Sequence, residues 1–422
     1  DRFKLKEPES RGETQPQPEF ANDTERPKRE DTSLDDAAWE TVNKIAKSDS
    51  TSSEKPMLAR PIEQVPQRYQ ARMAENKSEV VRRRGGSDNT EAAVSDALRW
   101  LAKHQHESGR WDASDHGAGK GQLIDGRFRG TAGMKADTGI TGLALLALLG
   151  DGNTHQHGKY KREVAKGLEF LMRQQRADGN LCGEATNYSR MYCHGIASLA
   201  LAEAFAMSGD SRLKPFVDKA VSYSLSCQNP ATGGWRYNPG DAGDTSQLGW
   251  QLMFLTSAEQ GGVRIPDYVK VGMRRFLQSV SVGANNGLAS YRSGQGVTPS
   301  MTAEALVCRI FLGASNPRLE SEAAEFIGRE LPGYGRPNLY YWYYATLALS
   351  QTDSAVWEHW NSALKHQLLM TQQQRGDNRG SWTAETVWGG HGGRVYSTAL
   401  AAMCLEVYYR YPLRNREVAN RP

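Results

Sequence analysis

The side chains able to do chemistry recur at the starts of apolar segments. Asp244 closes Asp241-Ala-Gly-Asp244-Thr245, and Asp137 holds the same place in Asp137-Thr138. Gln247 and Trp250 follow Asp244, and His194 lies in Tyr192-Cys-His-Gly195. Thr302 and Glu304 open another apolar run; Arg394 and Tyr396 open a further one, behind the Gly-rich turn around His391. Carboxyls such as Asp244 and Glu304, with His194 or Tyr396 as acid/base partner and aromatic rings as sugar platforms, suit lyase or hydrolase chemistry on carbohydrates. The run Tyr340-Tyr-Trp342-Tyr343-Tyr344 supplies rings in several directions, some packing into a core and others lining a cavity. Aromatic walls also suit apolar ligands and, through cation–π attraction, carbocations. Each group has a structural role open to it as well. An Asp at a helix start caps free N–H groups and complements the dipole, and a buried His or Glu can simply be a satisfied core group.

The elements that must position these residues alternate in polarity. Six times, a charged amphipathic helix is followed by a Gly-rich turn and a nearly uncharged helix. The first kind is expected near Thr90–Gln105, Arg162–Gln175, Lys214–Cys227, Pro266–Val280, Leu319–Leu331 and Ala355–Gln372. The second is expected near Asp137–Gly150, Tyr192–Met207, Asp244–Glu259, Pro299–Leu312, Tyr340–Gln351 and Val395–Tyr411. Charges along one face mark a helix with one side in water; apolar residues all round, as in Thr141–Leu149, mark burial on every side. Stacked hairpins sharing one core answer both demands, and six pairs close into an all-α (α/α)6 toroid. Inner helices would then start at one mouth of the ring, where Asp137, His194, Asp244, Gln247, Trp250, Thr302, Glu304, Arg394 and Tyr396 would meet. Gln105, Gln175, Gln228 and Gln372 end outer helices, where an amide could satisfy terminal carbonyls beneath the Trp of the next loop.

Composition narrows the partners. The net charge of +4 is small for 422 residues and no basic stripe interleaves with aromatics, so nucleic acid is not expected. No apolar run reaches the roughly 20 residues needed to span a bilayer. Residues 1–87 are rich in Pro, Ser, Thr and balanced charge, and are expected to be a mostly disordered arm. Short helices are expected in it at Leu34–Lys47 and Gln67–Arg84, with Trp39 able to dock onto the toroid or a protein partner. The toroid is expected over 88–412, followed by a tail at 413–422. The chain opens with Asp1, so removal of an upstream signal or anchor is expected, with membrane-associated and periplasmic locations both open. Five cysteines cannot all pair, and no disulfide framework is expected.

The pattern Lys/Arg-Gly/Ala-x-x-aromatic-Leu-x-x-x-Gln-x-x-x-Gly-x-Trp resembles the QW repeat of squalene–hopene and oxidosqualene cyclases. Ala97–Trp111 fits it almost completely. Lys166–Gly179 fits with Leu181 in place of Trp, and Lys219–Trp235 and Ala363–Trp382 fit with longer loops. The resemblance covers about residues 88–412 and looks closest to cyclase-like toroids of bacteria such as planctomycetes. It implies a cavity for an apolar or isoprenoid-type ligand, with Tyr340, Trp342 and Tyr343 among its rings. The family's general acid lies in Asp-x-Asp-Asp-Thr; here Asp241 and Asp244 remain, and Gly243 stands where the resemblance places the proton donor. Asp244 is thus the candidate catalytic residue, and squalene cyclisation is not expected. Protein prenyltransferase β subunits share the toroid with a zinc site containing Asp-x-Cys. No Asp-x-Cys occurs here, so neither metal nor cofactor is expected. A non-catalytic scaffold tethered by its arm is the remaining alternative.

Overall fold

The computed structural model describes residues 60–412, except 120–122, 125–126, 129–131 and 187. The helix expected at Leu34–Lys47, with Trp39, lies outside the described residues. After α1 (Gln67–Met73) and α2 (Lys77–Arg83), six hairpins follow. They are α3 (Asp88–Lys103) with α4 (Asp137–Gly150), α5 (Lys161–Gln174) with α6 (Ser189–Ser208), and α7 (Lys214–Cys227) with α8 (Thr245–Gln260). Then come α9 (Asp267–Val280) with α10 (Pro299–Phe311), α11 (Pro317–Ile327) with α12 (Leu339–Ser350), and α13 (Val356–Thr371) with α14 (Gly389–Leu405). A short α15 (Val407–Arg410) ends the described chain. The even-numbered helices from α4 to α14 pack each on the next, and α14 returns to α4. The ring is closed.

Inner helices are buried on all sides. Leu143 through Leu149 are shielded without a break, and each buried Leu contributes about 1.5–3 kcal/mol relative to exposure. Outer helices bury one stripe, as with Val164, Leu168 and Leu171 of α5. The Gly-rich stretch from Gly389, expected as a turn, is the first turn of α14. Its break falls at Gly393, whose φ of 70° no β-carbon-bearing residue adopts cheaply.

The terminal glutamines act differently from the expectation. Gln105 Nε2 donates to Gly109 O at 2.8 Å and to Glu163 O, in the first turn of the next outer helix, at 2.9 Å. Gln175 reaches Phe216 O and Gln228 reaches Val269 O. Gln372 reaches Ala93 O at 2.8 Å, tying the last outer helix to the first. Carbonyls of the last helical turn are reached by the Trp rings instead: Trp111 Nε1 donates to Leu101 O, Trp235 to Ser224 O and Trp382 to Leu368 O. Gly109 completes the motif with φ 91°, and a β-carbon there would strike Lys166 O. Repeat four, which lacks the motif, is held by Glu322, whose carboxylate accepts from the backbone N–H groups of Ala284, Asn285 and Gly287.

Packing starts before residue 88, the boundary expected from composition. Tyr69, Arg72 and Val81 are buried, and α1 enters the C-terminal end of the inner ring. Tyr69 donates to Ser257 Oγ of α8 at 2.9 Å, and Arg72 pairs with Glu203 of α6 at 2.6 Å. Arg72 Nε also donates to Arg410 O, and Arg410 pairs with Glu406 at 2.8 Å. Higher along the axis, Trp250 of α8 stacks on Tyr343 of α12, with ring centroids 6.1 Å apart and planes 12° apart. Because α10 lies between those two helices, this stack bridges the ring. Trp250, Tyr343, Tyr69 and Arg72 are all buried.

Candidate functional site

Asp244 is the N-cap of α8. Its Oδ1 accepts from Gln247 N and Ser246 Oγ, both at 2.8 Å. Oδ2 accepts from the Tyr291 hydroxyl at 2.7 Å, and Arg236 Nε lies 3.4 Å away. Tyr291 and Tyr237 hydroxyls are 2.6 Å apart, and Tyr192 meets Ser246 at 2.5 Å. Burial raises Asp244, while hydrogen bonds from Tyr291, Gln247 N and Ser246 and the charge of Arg236 oppose it. With donors on both oxygens, this is the bonding of a carboxylate.

Glu304, on α10, lies in a different setting. Its Oε2 accepts from Tyr340 at 2.6 Å, and its Oε1 has no hydrogen-bond partner among the described residues. Gly249 on α8 makes the room, since a β-carbon there would collide with Oε1. Burial holds the carboxyl well above the usual range, the Tyr340 hydrogen bond opposing it and the Asp244 charge adding to it. Tyr192 feels the charge of both Asp244 and Glu304, which sets residues of α6, α8, α10 and α12 around one mouth. Tyr188 forms a half-buried rim, edge-on to Tyr237 and to His391 at 6.1 Å each, with Trp388 beside His391 at 5.9 Å.

The other expected residues are engaged elsewhere. His194 Nδ1 accepts from Leu181 N at 3.2 Å, and burial depresses the ring to about 3, so it stays neutral. Thr302 Oγ1 likewise accepts from Ala289 N at 3.0 Å. Thr141 and Thr398 do the same for Trp111 and Trp382, so His194 and Thr302 are brackets for the returning loops. Asp137 accepts from Ala113 N and lies 3.4 Å from Arg110. Gln247 joins the Asp244 cap through its backbone, while its buried side-chain amide has no hydrogen-bond partner among the described residues. Arg394 donates to His116 O and Ser381 Oγ; Tyr396 packs over Gly392; Trp342 is buried in the core. Trp250 and Tyr343 form the floor. All five cysteines are free and buried. Among the described residues no group of His, Cys, Asp and Glu is arranged to hold a metal, and no helix is long and apolar enough to cross a membrane.

Tyr237 and Tyr291 were not singled out by sequence. They stand 54 residues apart, as do Tyr192 and Ser246. That spacing marks matching positions in successive repeats, and it is the signal that would have found them.

Residues 79–264, less than half of the chain, match the model of the squalene-hopene cyclase C-terminal domain. Over that stretch the chain is similar to squalene-hopene cyclases, and its fold is an α/α toroid. Cellobiose 2-epimerase from Spirochaeta thermophila is 14% identical with a TM-score of 0.53, over 80% of this chain and 98% of that one. An inactive variant of the α-1,6-mannanase of Salegentibacter sp. HEL1_6, in complex with α-1,6-mannotriose, is 8% identical with a TM-score of 0.51, over 76% and 99%. At such identities the likeness concerns the fold of the toroid alone. No curated protein matches the sequence.

Proposed function

We propose that this toroid binds a hydroxyl-rich ligand, of carbohydrate type, at the mouth of its inner ring. The observation that carries the reading is a contrast in exposure. Trp250, Tyr343 and Tyr69 are buried, while half-buried tyrosines are hydrogen-bonded to two buried carboxyls. Tyrosine faces stack on sugar rings while their hydroxyls hydrogen-bond. The two carboxyls differ in setting: burial raises both, Glu304 the further, and Asp244 alone has donors on both oxygens. Both carboxyls are fully buried, so they meet a ligand through the phenols hydrogen-bonded to them, Tyr291 and Tyr340.

A second reading follows from the resemblance to cyclases. A neutral carboxyl among Tyr192, Tyr340 and Tyr344 also suits an isoprenoid-type ligand. The usual cyclase acid has no place here. Gly243 has φ 95°, and a β-carbon on it would lie 2.8 Å from Gly234 Cα, so an Asp at this position requires the loop to move. Calorimetric titration of the full chain with α-1,6-mannotriose, cellobiose, farnesol and squalene decides between the readings. Saturable binding of a saccharide, weakened by Tyr237→Phe, is expected. Binding of farnesol or squalene with neither saccharide bound would replace the proposal by the second reading.

A further inference from the structure

The hydrogen bonds of the mouth have a direction. Asp244 and Glu304 are where they end, and a carboxyl oxygen that accepts fixes the donor in each bond that leads to it. Tyr291 gives its one proton to Asp244 Oδ2, so in the 2.6 Å contact with Tyr237 the Tyr291 oxygen accepts and Tyr237 donates. Ser246 gives its proton to Asp244 Oδ1, so Tyr192 donates to Ser246. Tyr340 gives its proton to Glu304 Oε2. Tyr192, Tyr237 and Tyr340, half-buried phenols of the mouth, therefore all spend their protons inward. Each phenol keeps lone pairs and has no second O–H to offer.

We infer that the mouth is an acceptor site: Tyr192, Tyr237 and Tyr340 take hydrogen bonds from O–H donors of the ligand and discriminate against ligands that carry only ether or carbonyl oxygens. Asp244, Ser246, Tyr291 and Glu304 act as positioning residues that hold the polarity. A ligand oxygen without a hydrogen would meet an acceptor at each of these phenol oxygens, leaving lone pairs opposed in a partly desolvated site. This inference rests on the mouth-binding reading and names the chemistry recognised there. A sugar and a prenyl alcohol both supply it.

The test pairs each ligand with its O-methylated form, using the full chain: α-1,6-mannotriose against permethylated mannotriose, and farnesol against farnesyl methyl ether. The wild type is expected to bind the free-hydroxyl member of a pair about tenfold or more tightly, the ratio that one lost hydrogen bond of about 1.4 kcal/mol produces. Tyr237→Phe and Tyr340→Phe keep the ring and remove the oxygen, so each should shrink that ratio several-fold. Because methyl bulk is the same for every variant, a change in ratio reports polarity and not size. Should one variant fail to fold, Tyr192→Phe reads the same effect. Equal binding of methylated and free forms, or ratios unchanged in the Phe variants, overturns the inference even if saccharide binds. A ratio seen for the farnesol pair alone upholds the inference and removes the carbohydrate reading. If no member of either pair binds, both fall together.

Discussion

The two ends of the inner ring bury carboxyls in opposite ways. At the base, Glu203 and Glu406 face guanidinium groups: Arg72 meets Glu203 at 2.6 Å, and Arg410 meets Glu406 at 2.8 Å and Glu203 at 3.8 Å. At the mouth, Asp244 and Glu304 face phenols, and the half-buried Arg236 is the cation beside Asp244. Burial pushes Glu203 up, but Arg72 and then Arg410 outweigh it and hold the group below its usual value. No such cation holds Glu304, and burial keeps it well above its usual value. A cation-paired carboxyl in a dry site is fixed by its partner, and removing one member strands the other. A phenol-paired carboxyl leaves oxygen lone pairs on the outer side of the phenol. The base locks the ring, and the mouth keeps surface for a ligand.

The largest expected effect breaks the base. Arg72→Ala strands Glu203 and should lower stability by about 3–5 kcal/mol, read by denaturant unfolding. Glu304→Gln at the mouth should cost far less, since an uncharged amide replaces an uncharged acid. A loss as large as that of Arg72→Ala would show that Glu304 carries structural charge.

The next effect is a contrast in pH dependence. Glu304 is raised, so its contribution is full below the ordinary Glu value of 4.5 and is lost as pH rises toward its folded value. Glu203 is lowered, so its contribution is present above that value and is lost as pH falls. Relative to wild type, Glu304→Gln should gain stability with rising pH, and Glu203→Gln should gain it with falling pH. Each slope is at most about 1.4 kcal/mol per pH unit. Glu406, raised by burial to about 8 against the pull of Arg410, belongs with Glu304 in sign, its loss running from 4.5 to about 8. Slopes of the same sign for Glu304 and Glu203 would erase the difference between the ends.

The smallest effect concerns the cap. Asp244→Asn should cost about 1 kcal/mol or less in stability, because Asn caps nearly as well. It should nevertheless weaken ligand binding, since an amide can donate toward Tyr291 and disturb the order of the network. Unchanged binding would reduce Asp244 to a cap.

The ring was legible because its signals are local. Charges on one helix type, their absence on the other and the Gln–Gly–Trp spacing follow from burial and close approach. Asp244 was legible for the same reason, as a short acidic side chain at a helix start. Tyr237 and Tyr291 were not, because they sit in loops and gain meaning by meeting across a repeat. Residues 60–87 were hidden by composition. A segment poor in apolar residues packs here through Tyr69 and Arg72, whose buried partners Ser257 and Glu203 lie far along the chain. Glu203 itself gave no warning, standing in an apolar helix where a lone acid has no visible partner.

The claim that ligand is met at the mouth over a buried interior is tested most directly by hydroxyl-radical footprinting of the full chain with and without saturating α-1,6-mannotriose, repeated with farnesol. Protection is expected at Tyr188, Tyr192, Tyr237 and Tyr340, with Trp250, Tyr343 and Tyr69 unchanged because they are already packed. Altered labelling of Trp250, Tyr343 or Tyr69 with the rim tyrosines unprotected would place the ligand inside the ring and contradict the account.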